Sequence, residues 1–218
     1  MSTDLSAVAR ELGAHWDERA RRAATDAERV DSTVRSQFLR FECFAGRHAL
    51  AGASILDVGC GVGDLYGHLQ ASGVACEYLG VDLSAAMIER ARQKYPGARF
   101  AVADPLAWEP PGSFDYTVSI GIHNVACAGA AAMLRAVTRR QFELARVASH
   151  VSVLTDRHAG FGPGVQAWRA EELLGLALEL TPYVRLHHDY LPHDMAVTLY
   201  RRPAAETGAG LTRIPPAP

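Results

Sequence analysis

The feature of the sequence that most constrains the fold is a short apolar run followed by three closely spaced glycines. Residues 54–58 read Ser-Ile-Leu-Asp-Val, and Gly59, Gly61 and Gly63 come directly after them. The apolar run predicts a buried strand, and the glycines allow a sharp turn in which the backbone approaches a ligand closely. The helical pattern that follows completes a strand, turn and helix unit. This order is typical of α/β folds that bind ligands beyond the carboxyl ends of parallel strands.

Strand and helix patterns alternate along the rest of the chain. The last two predicted strands, 183–191 and 196–202, are joined by four residues, which is hairpin spacing. The sequence therefore predicts an α/β, Rossmann-like three-layer sandwich, with a mostly parallel seven-stranded sheet that ends in an antiparallel hairpin. The other predicted strands are 54–59, 77–82, 99–103, 113–121 and 151–155, and the predicted helices are 63–71, 84–95, 128–148 and 166–180.

Two further helices are predicted before the first strand, at 3–24 and 26–45. In the second, Val30, Val34, Phe38 and Phe41 recur at helical spacing and are expected to face the core. We expect residues 1–50 to form an N-terminal helical cap and residues 51–202 to form the ligand-binding domain. Residues 203–218 are rich in Pro, Ala and Gly, which predicts a disordered tail.

Acidic residues around the glycine turn indicate which ligand it suits. Asp82 closes the second strand 19 positions after Gly63 (82 − 63 = 19), where a carboxylate accepts hydrogen bonds from ribose hydroxyls. Asp64 stands where a dinucleotide fingerprint needs its third glycine, and an acid there opposes a pyrophosphate. Asp57 adds a second negative charge. The turn therefore favours a ligand with a ribose and a cationic group, without phosphates.

At these positions the sequence resembles the class I S-adenosylmethionine (SAM)-dependent methyltransferase superfamily, in particular its small stand-alone bacterial members. The resemblance implies SAM as the cofactor, S-adenosylhomocysteine (SAH) as the product and methyl transfer as the activity, and makes 51–202 the SAM-binding methyltransferase domain. The matching segments are ILDVGCGVGDL at 55–65, VDLSAAMIERAR at 81–92, VADPLAW at 102–108 and FDYTVSIGIHNV at 114–125.

The resemblance also implies roles for single residues. Asp82 would bind the ribose hydroxyls, Leu83 would pack on the adenine, and Asp104 would accept from the adenine amino group. Ser119 and Gly121 would face the methionine part and the reacting methyl group. The full set of predicted cofactor-binding residues is Asp57, Gly59, Cys60, Gly61, Gly63, Asp82, Leu83, Asp104, Pro105, Ser119 and Gly121, with Cys60 acting as a small packing residue.

His123 and Asn124 are the predicted catalytic residues, because they follow the fourth strand where the methyl group should point. His123 is either a general base, a group that orients a substrate oxygen, or a histidine satisfied within its loop. Candidates for substrate or cap contacts are Trp16, Arg35, Arg40 and His193. An arginine of the cap either pairs with the SAM carboxylate or carries surface charge, and Trp16 either closes over the substrate or packs in the core.

Composition narrows the partners. A formal net charge of −2, the lack of a basic appended domain and SIGIHN in place of a DPPY-type signature all disfavour a nucleic-acid substrate, so a small molecule is expected. Histidines near residue 190 do not have the spacing of a metal site, and no apolar stretch is long enough to cross a membrane. Scattered cysteines favour a cytoplasmic location. The oligomeric state stays open, as do two alternatives: an inactive SAM-binding partner or sensor, and a nicotinamide-dependent oxidoreductase.

Overall fold

A computed structural model describes residues 3–29 and 32–203 of the chain. The tail that the sequence predicts to be disordered begins at residue 203, and its residues from 204 onwards lie outside the described part of the chain. The strands are β1 (Ser54–Val58), β2 (Glu77–Asp82), β3 (Arg99–Val102), β4 (Phe114–Ile120), β5 (Ala145–Leu154), β6 (Val184–His187) and β7 (Asp194–Tyr200). The helices are α1 (Leu5–Arg22), α2 (Asp26–Arg29), α3 (Val34–Ala45), α4 (Asp64–Ala71), α5 (Ala85–Lys94), α6 (Ala130–Leu144) and α7 (Ala170–Leu178).

The seven strands form one sheet in the order β3-β2-β1-β4-β5-β7-β6. Strands β1 to β5 pair in parallel, and β7 runs antiparallel between β5 and β6. The predicted α/β sandwich with a mostly parallel sheet and a terminal hairpin is therefore confirmed. The order reverses between β1 and β4, so a crevice opens beyond the carboxyl ends of these two central strands.

Buried apolar side chains hold helices on both faces of the sheet. One cluster joins Phe44 of α3, Leu65 and Leu69 of α4 and Ile88 of α5 to the strands. A second cluster joins α1 and α6 to the other side of β1 and β2, and a third joins α6 and α7 to β5 and β7. These contacts make the three layers. No helix among residues 3–29 and 32–203 combines the length and apolar character that a membrane span needs.

The helix predicted over 26–45 is wrong in its extent. It is divided into α2 and α3, because Thr33 adopts an extended conformation (φ −103, ψ 154) and caps α3 by accepting from the Ser36 N–H. Val34 is 76% exposed and Phe38 is 51% exposed, so their helical spacing does not mark a core face. Val30 lies outside the described residues.

Other boundaries differ because sheet pairing outweighs local pattern. The predicted helix 128–148 ends at Leu144, and β5 begins at Ala145 instead of residue 151. Strand β5 pairs with β4 from Ala145 onwards and with β7 from Ala148 onwards, so Ala148 and the residues after it lie between two ladders of hydrogen bonds. Helix α7 begins only at Ala170, because residues before it pair with neighbouring loops through the Thr155–Trp168 bridge.

Candidate active site

The turn between β1 and α4 has a backbone that requires glycine. Gly59 has φ +72, and a Cβ built there would lie 2.1 Å from the Ile122 Cγ2 atom. Ile122 belongs to the segment that follows β4, so the two central strand ends meet at this point. The predicted glycine turn therefore lies at the switch point of the sheet, where ligands bind in such folds.

Four of the N–H groups of the turn are already used inside the protein. Gly59 and Cys60 both donate to the Val81 carbonyl, at 2.7 and 3.0 Å. The Gly61 N–H donates to Asp82 Oδ2 at 2.9 Å, and the Gly63 N–H donates to the Cys60 carbonyl at 3.0 Å. A phosphate-binding turn needs such groups pointing at the ligand. These four N–H groups are therefore not available to a dinucleotide pyrophosphate.

Asp82 ties the turn to the end of β2. Besides the bond from Gly61, its Oδ1 accepts from the Ser84 N–H at 2.9 Å. Burial raises the pKa of this carboxyl group. Each carboxylate oxygen keeps a further lone pair. The carboxylate also lines a cavity, which we call the Asp82 cavity.

The far end of the Asp82 cavity suits a flat heterocycle. Leu83 and Pro105 supply apolar surface there. Asp104 Oδ1 accepts from the Leu106 N–H at 2.9 Å, which fixes the carboxylate, while Oδ2 accepts from no described residue. The result is a fixed acceptor beside an apolar slot. The three residues predicted to contact adenine thus all line the Asp82 cavity.

Helix α1 forms one wall of the Asp82 cavity. Its Ala9, Leu12 and Trp16 line the space. Asp17 of the same helix fixes α1 to the start of α5, because its Oδ1 accepts from the Ser84 hydroxyl at 2.5 Å and from the Ala86 N–H at 3.1 Å. The N-terminal segment is thus joined to the strand end that carries Asp82.

His123 faces the Asp82 cavity and is 6% exposed. Its carbonyl accepts from Trp168 Nε1 at 2.9 Å, while its buried Nε2 atom has no hydrogen-bond partner among the described residues. Burial lowers the pKa of this imidazole to about 3. The ring is therefore neutral and only weakly basic at pH 7.

Asn124 holds two loops together. Its Oδ1 accepts from the Leu154 N–H at 3.0 Å, and its carbonyl accepts from the Gln166 N–H at 2.8 Å. The side chain therefore joins the end of β4 to the end of β5. It also lines a second cavity, which we call the Arg40 cavity.

The two cavities adjoin around the glycine turn and the end of β4. Five residues line both of them: Trp16, Gly59, Gly61, Ile120 and Gly121. Three of the five are glycines, so little side-chain volume separates the two spaces. A group held in one cavity can therefore reach a group held in the other.

Arg40 is buried in an ion pair at the base of the second cavity. Its Nε donates to Asp194 Oδ2 at 2.6 Å, and the two side chains are 10% and 0% exposed. Asp194 Oδ1 also accepts from the hydroxyls of Ser152, at 2.8 Å, and Tyr190, at 2.5 Å. Arg40 does not line the Asp82 cavity. Arg40 is therefore not a surface charge, because it is buried against Asp194, while its contact with the carboxylate of SAM stays a prediction.

Asp57 lies behind the glycine turn, also facing the Arg40 cavity. Its Oδ2 accepts from the Tyr78 hydroxyl at 2.6 Å, and burial raises its pKa to about 7. Cys60, beside it, is buried against Gly80, and burial raises the pKa of its thiol. The packing interpretation of Cys60 agrees with this environment.

Three predicted residues lie outside both cavities. Ser119 is fully buried and its hydroxyl donates to Gln141 Oε1 at 3.0 Å, so the side chain points toward α6. Gly63 packs against Phe100 at the start of α4, and Arg35 is exposed. The structure gives none of these three side chains a contact with a ligand in either space. Trp16 lines both cavities and His193 lines the Arg40 cavity.

Sequence reasoning missed several walls of the site. Met87 of α5 and Met133 and Val137 of α6 line the Asp82 cavity, and Phe161 and Val165 line the Arg40 cavity. Apolar residues on helix faces cannot be told from core residues by spacing alone. The glycine-rich run around Phe161 (HAGFGPG, 158–164) was the one available signal for a loop at the site. Within the described ranges, no three metal-ligating side chains form a metal-binding group.

Comparison with known proteins agrees with this geometry. Residues 55–141 match the family model of a methyltransferase domain. A trans-aconitate 2-methyltransferase of Paracidovorax citrulli is 40% identical over 63 residues, which are 28% of this chain and 24% of that protein. Rv1506c of Mycobacterium tuberculosis, which carries the name of a methyltransferase, is 37% identical over 103 residues, 41% of this chain and 60% of that protein. The chain thus spans less than two thirds of these relatives.

Solved structures show the same fold across nearly the whole chain. Magnesium protoporphyrin IX methyltransferase of Synechocystis, with bound SAH, superposes with a TM-score of 0.65 at 16% identity, covering 91% of this chain and all of that one (100%). The CcbJ methyltransferase of Streptomyces caelestis superposes with a TM-score of 0.64 at 11% identity, covering 87% and 97%. The strand order and the glycine turn define a Rossmann-like methyltransferase fold.

The matched methyltransferase domain and the shared methyltransferase fold both support a class I SAM-dependent methyltransferase. The predicted superfamily is therefore confirmed, and the nicotinamide-dependent oxidoreductase is set aside.

Proposed function

We propose that the protein binds SAM in the Asp82 cavity and transfers its methyl group to a small molecule in the Arg40 cavity. The observation that carries this proposal is the meeting of the two cavities at the glycine turn, with Asp82 and Asp104 fixed on one side of the junction. Methyl transfer needs two bound partners in line and little else from the protein.

The residues that line the Asp82 cavity match the chemical groups of SAM. Asp82 keeps acceptor capacity for ribose hydroxyls, and Asp104 Oδ2 suits an amino group above the apolar surface of Leu83. The unpaired Nε2 of His123 offers one more polar contact. Four N–H groups of the turn are bonded inside the protein and do not point at a phosphate, whereas the Asp82 carboxylate favours a positively charged ligand. Because the Nε2 atom of His123 is unpaired, we propose that His123 contacts the cofactor.

When bound, SAM supplies a methyl group on a positively charged sulfur that leaves as a neutral thioether. The chain's own contribution is alignment: the junction glycines leave room for close approach, and Trp16 and Ile120 exclude water there. On the acceptor side, His193 has a pKa lowered below 6.5, first by burial and then by Arg40. It is neutral at pH 7 and is the group that we propose to receive a proton from an acceptor that must lose one.

Isothermal titration calorimetry with SAM, SAH and NAD tests the cofactor directly. Micromolar binding of SAM and SAH without binding of NAD is expected. NAD binding in the absence of SAM binding would contradict the proposal. Transfer is then measured with methyl-labelled SAM and a panel of small-molecule acceptors, with and without His193→Gln. SAM binding that never leads to labelled product would favour an inactive SAM-binding protein instead.

A further inference from the structure

We propose that the methyl acceptor is an uncharged aromatic molecule with an oxygen atom that accepts a hydrogen bond from Arg40 Nη2. This inference rests on the proposed function, since it concerns the occupant of the Arg40 cavity. It assigns a class of substrate, and it assigns Arg40 to the acceptor in place of the cofactor.

Two of the three nitrogen atoms of the Arg40 guanidinium are used inside the protein. Nε donates to Asp194 at 2.6 Å, and Nη1 donates to the Ser32 hydroxyl at 2.9 Å. Nη2 donates to no residue in the described part of the chain, and Arg40 lines the cavity. A guanidinium nitrogen is a donor only. The group that Nη2 can recognise is therefore an acceptor, which in a small metabolite is most commonly an oxygen.

The charge of Arg40 is already balanced. Asp194 is fully buried and pairs with it directly, so an anion bound to Nη2 would share one guanidinium with a second carboxylate. Like charges brought together in this way cost several kcal/mol. Among the described residues that line the cavity, Arg40 is the only lysine or arginine, and its acids are Asp57 and Asp64.

The other charged groups at the cavity do not offset this balance. Asp64 is paired with Lys94 and accepts from Gln37 Nε2 at 3.2 Å. His193 is neutral at pH 7, as argued above. The described lining therefore holds no unbalanced positive charge for a carboxylate or phosphate, and an uncharged oxygen such as a carbonyl or phenol oxygen fits it better.

Aromatic side chains supply the rest of the surface. Phe41 and Phe161 both line the cavity. His158 connects Phe161 to His193, with ring centroids 4.9 Å from Phe161 and 5.6 Å from His193. Rings arranged in this way favour stacking or edge contacts with another ring. An aromatic acceptor would use this surface while its oxygen bonds Arg40.

The test compares matched neutral and anionic probes on the SAH-loaded protein by ligand-observed NMR. The pairs are benzamide with benzoate, and para-hydroxyacetophenone with para-hydroxybenzoate. At pH 7.5 we expect each uncharged probe to bind at least about tenfold more tightly than its carboxylate partner, a difference of about 1.4 kcal/mol. Equal binding, tighter carboxylate binding, or no binding of any probe at millimolar concentration would overturn the inference.

Asp194→Asn provides the second arm. It removes the balancing charge and leaves Arg40 positive, so the preference should shift toward the carboxylate probes. Asp189→Asn is the matched control: Asp189 is 70% exposed, pairs with Arg47 at 3.4 Å and does not line the cavity, so it should leave the preference unchanged. An unshifted preference in folded Asp194→Asn protein contradicts the charge argument. If that variant does not fold, the wild-type comparison still decides.

A failure of the proposed function can be distinguished from a failure of this inference. SAH binding is measured by calorimetry before the probes are added. If SAH does not bind, the cofactor proposal fails, and the probe pairs are measured on the protein alone so that the charge preference of the Arg40 cavity is still determined.

Discussion

Gly59→Ala should be far more harmful than the same change at Gly73, although both glycines have similar backbone angles. The φ value of each glycine is +72, so an alanine at either position must adopt the left-handed conformation, which costs about 1–2 kcal/mol. The surroundings differ. A Cβ at residue 59 would lie 2.1 Å from Ile122 Cγ2, whereas at residue 73 it would meet nothing within 4 Å.

The overlap sets the size of the difference. Carbon atoms pack at about 3.5–4.0 Å, and Ile122 is branched at Cβ, so its methyl group cannot rotate away without disturbing the segment after β4. Overpacking of this kind costs about 1–3 kcal/mol. Gly59→Ala should therefore lower the free energy of unfolding by about 2–5 kcal/mol, and Gly73→Ala by about 1–2 kcal/mol.

Urea unfolding at equilibrium measures both values, and calorimetry measures SAM affinity in parallel. Gly59→Ala should weaken SAM binding, while Gly73→Ala should leave it unchanged. In an Ile122→Ala background the overlapping Cγ2 atom is absent and the nearest atom of residue 122 is its Cβ, at 3.2 Å, so Gly59→Ala should cost much less than in the wild type. Equal losses for the two single variants, or no coupling between residues 59 and 122, would refute the steric argument.

Three further predictions concern single ionisable or polar groups. Asp104→Asn replaces a fixed acceptor by a donor and should weaken SAM binding about tenfold or more, since an unsatisfied buried group costs roughly 1–3 kcal/mol. Asp156→Asn, which lies away from both cavities, is the control. An unchanged affinity of Asp104→Asn for SAM, measured by calorimetry, would remove Asp104 from the site. Burial raises the pKa of Asp57 to about 7, and a cationic ligand should lower this pKa. SAM binding at pH 7 should therefore release protons and become tighter as the pH rises. Binding heats that are the same in buffers of different ionisation enthalpy would contradict this. Burial lowers the pKa of His48 from 6.5 to about 4. Between pH 6.5 and pH 4 the unfolded state therefore binds more protons than the folded state, so the free energy of unfolding falls as the pH drops through this range. At pH 5 the loss from this group is about 2 kcal/mol, and urea unfolding should show a weaker pH dependence for His48→Leu than for wild type.

Much of the fold follows from patterns that are local in the chain. The run 54–58, its glycines and the acid at 82 lie within one strand–helix–strand unit, and their spacing predicted the switch point correctly. The hairpin of β6 and β7 was predicted from short apolar runs alone, although the observed strands are shorter than the patterns suggested. Such features depend on chain geometry and side-chain period, which neighbouring residues determine.

The contents of the two cavities depended on contacts between distant parts of the chain. Arg40 and Asp194 are 154 positions apart, and no local pattern indicates that they pair. The spacing of Val34 and Phe38 predicted burial, but both side chains stay exposed, because within residues 3–29 and 32–203 no element packs closely over them. His123 was placed after β4 by its motif, yet only the packing around its ring turned it toward the Asp82 cavity and lowered its pKa.

The sequence by itself therefore determined the class of fold, the glycine turn and the acids at the strand ends, because these are set by short-range periodicity and by the conformational freedom of glycine. The tertiary structure decided which side chains face a ligand, which charges are balanced and where helices end. Those outcomes follow from burial and pairing across the whole chain, and burial is a property that a residue has only once its neighbours in space are in place.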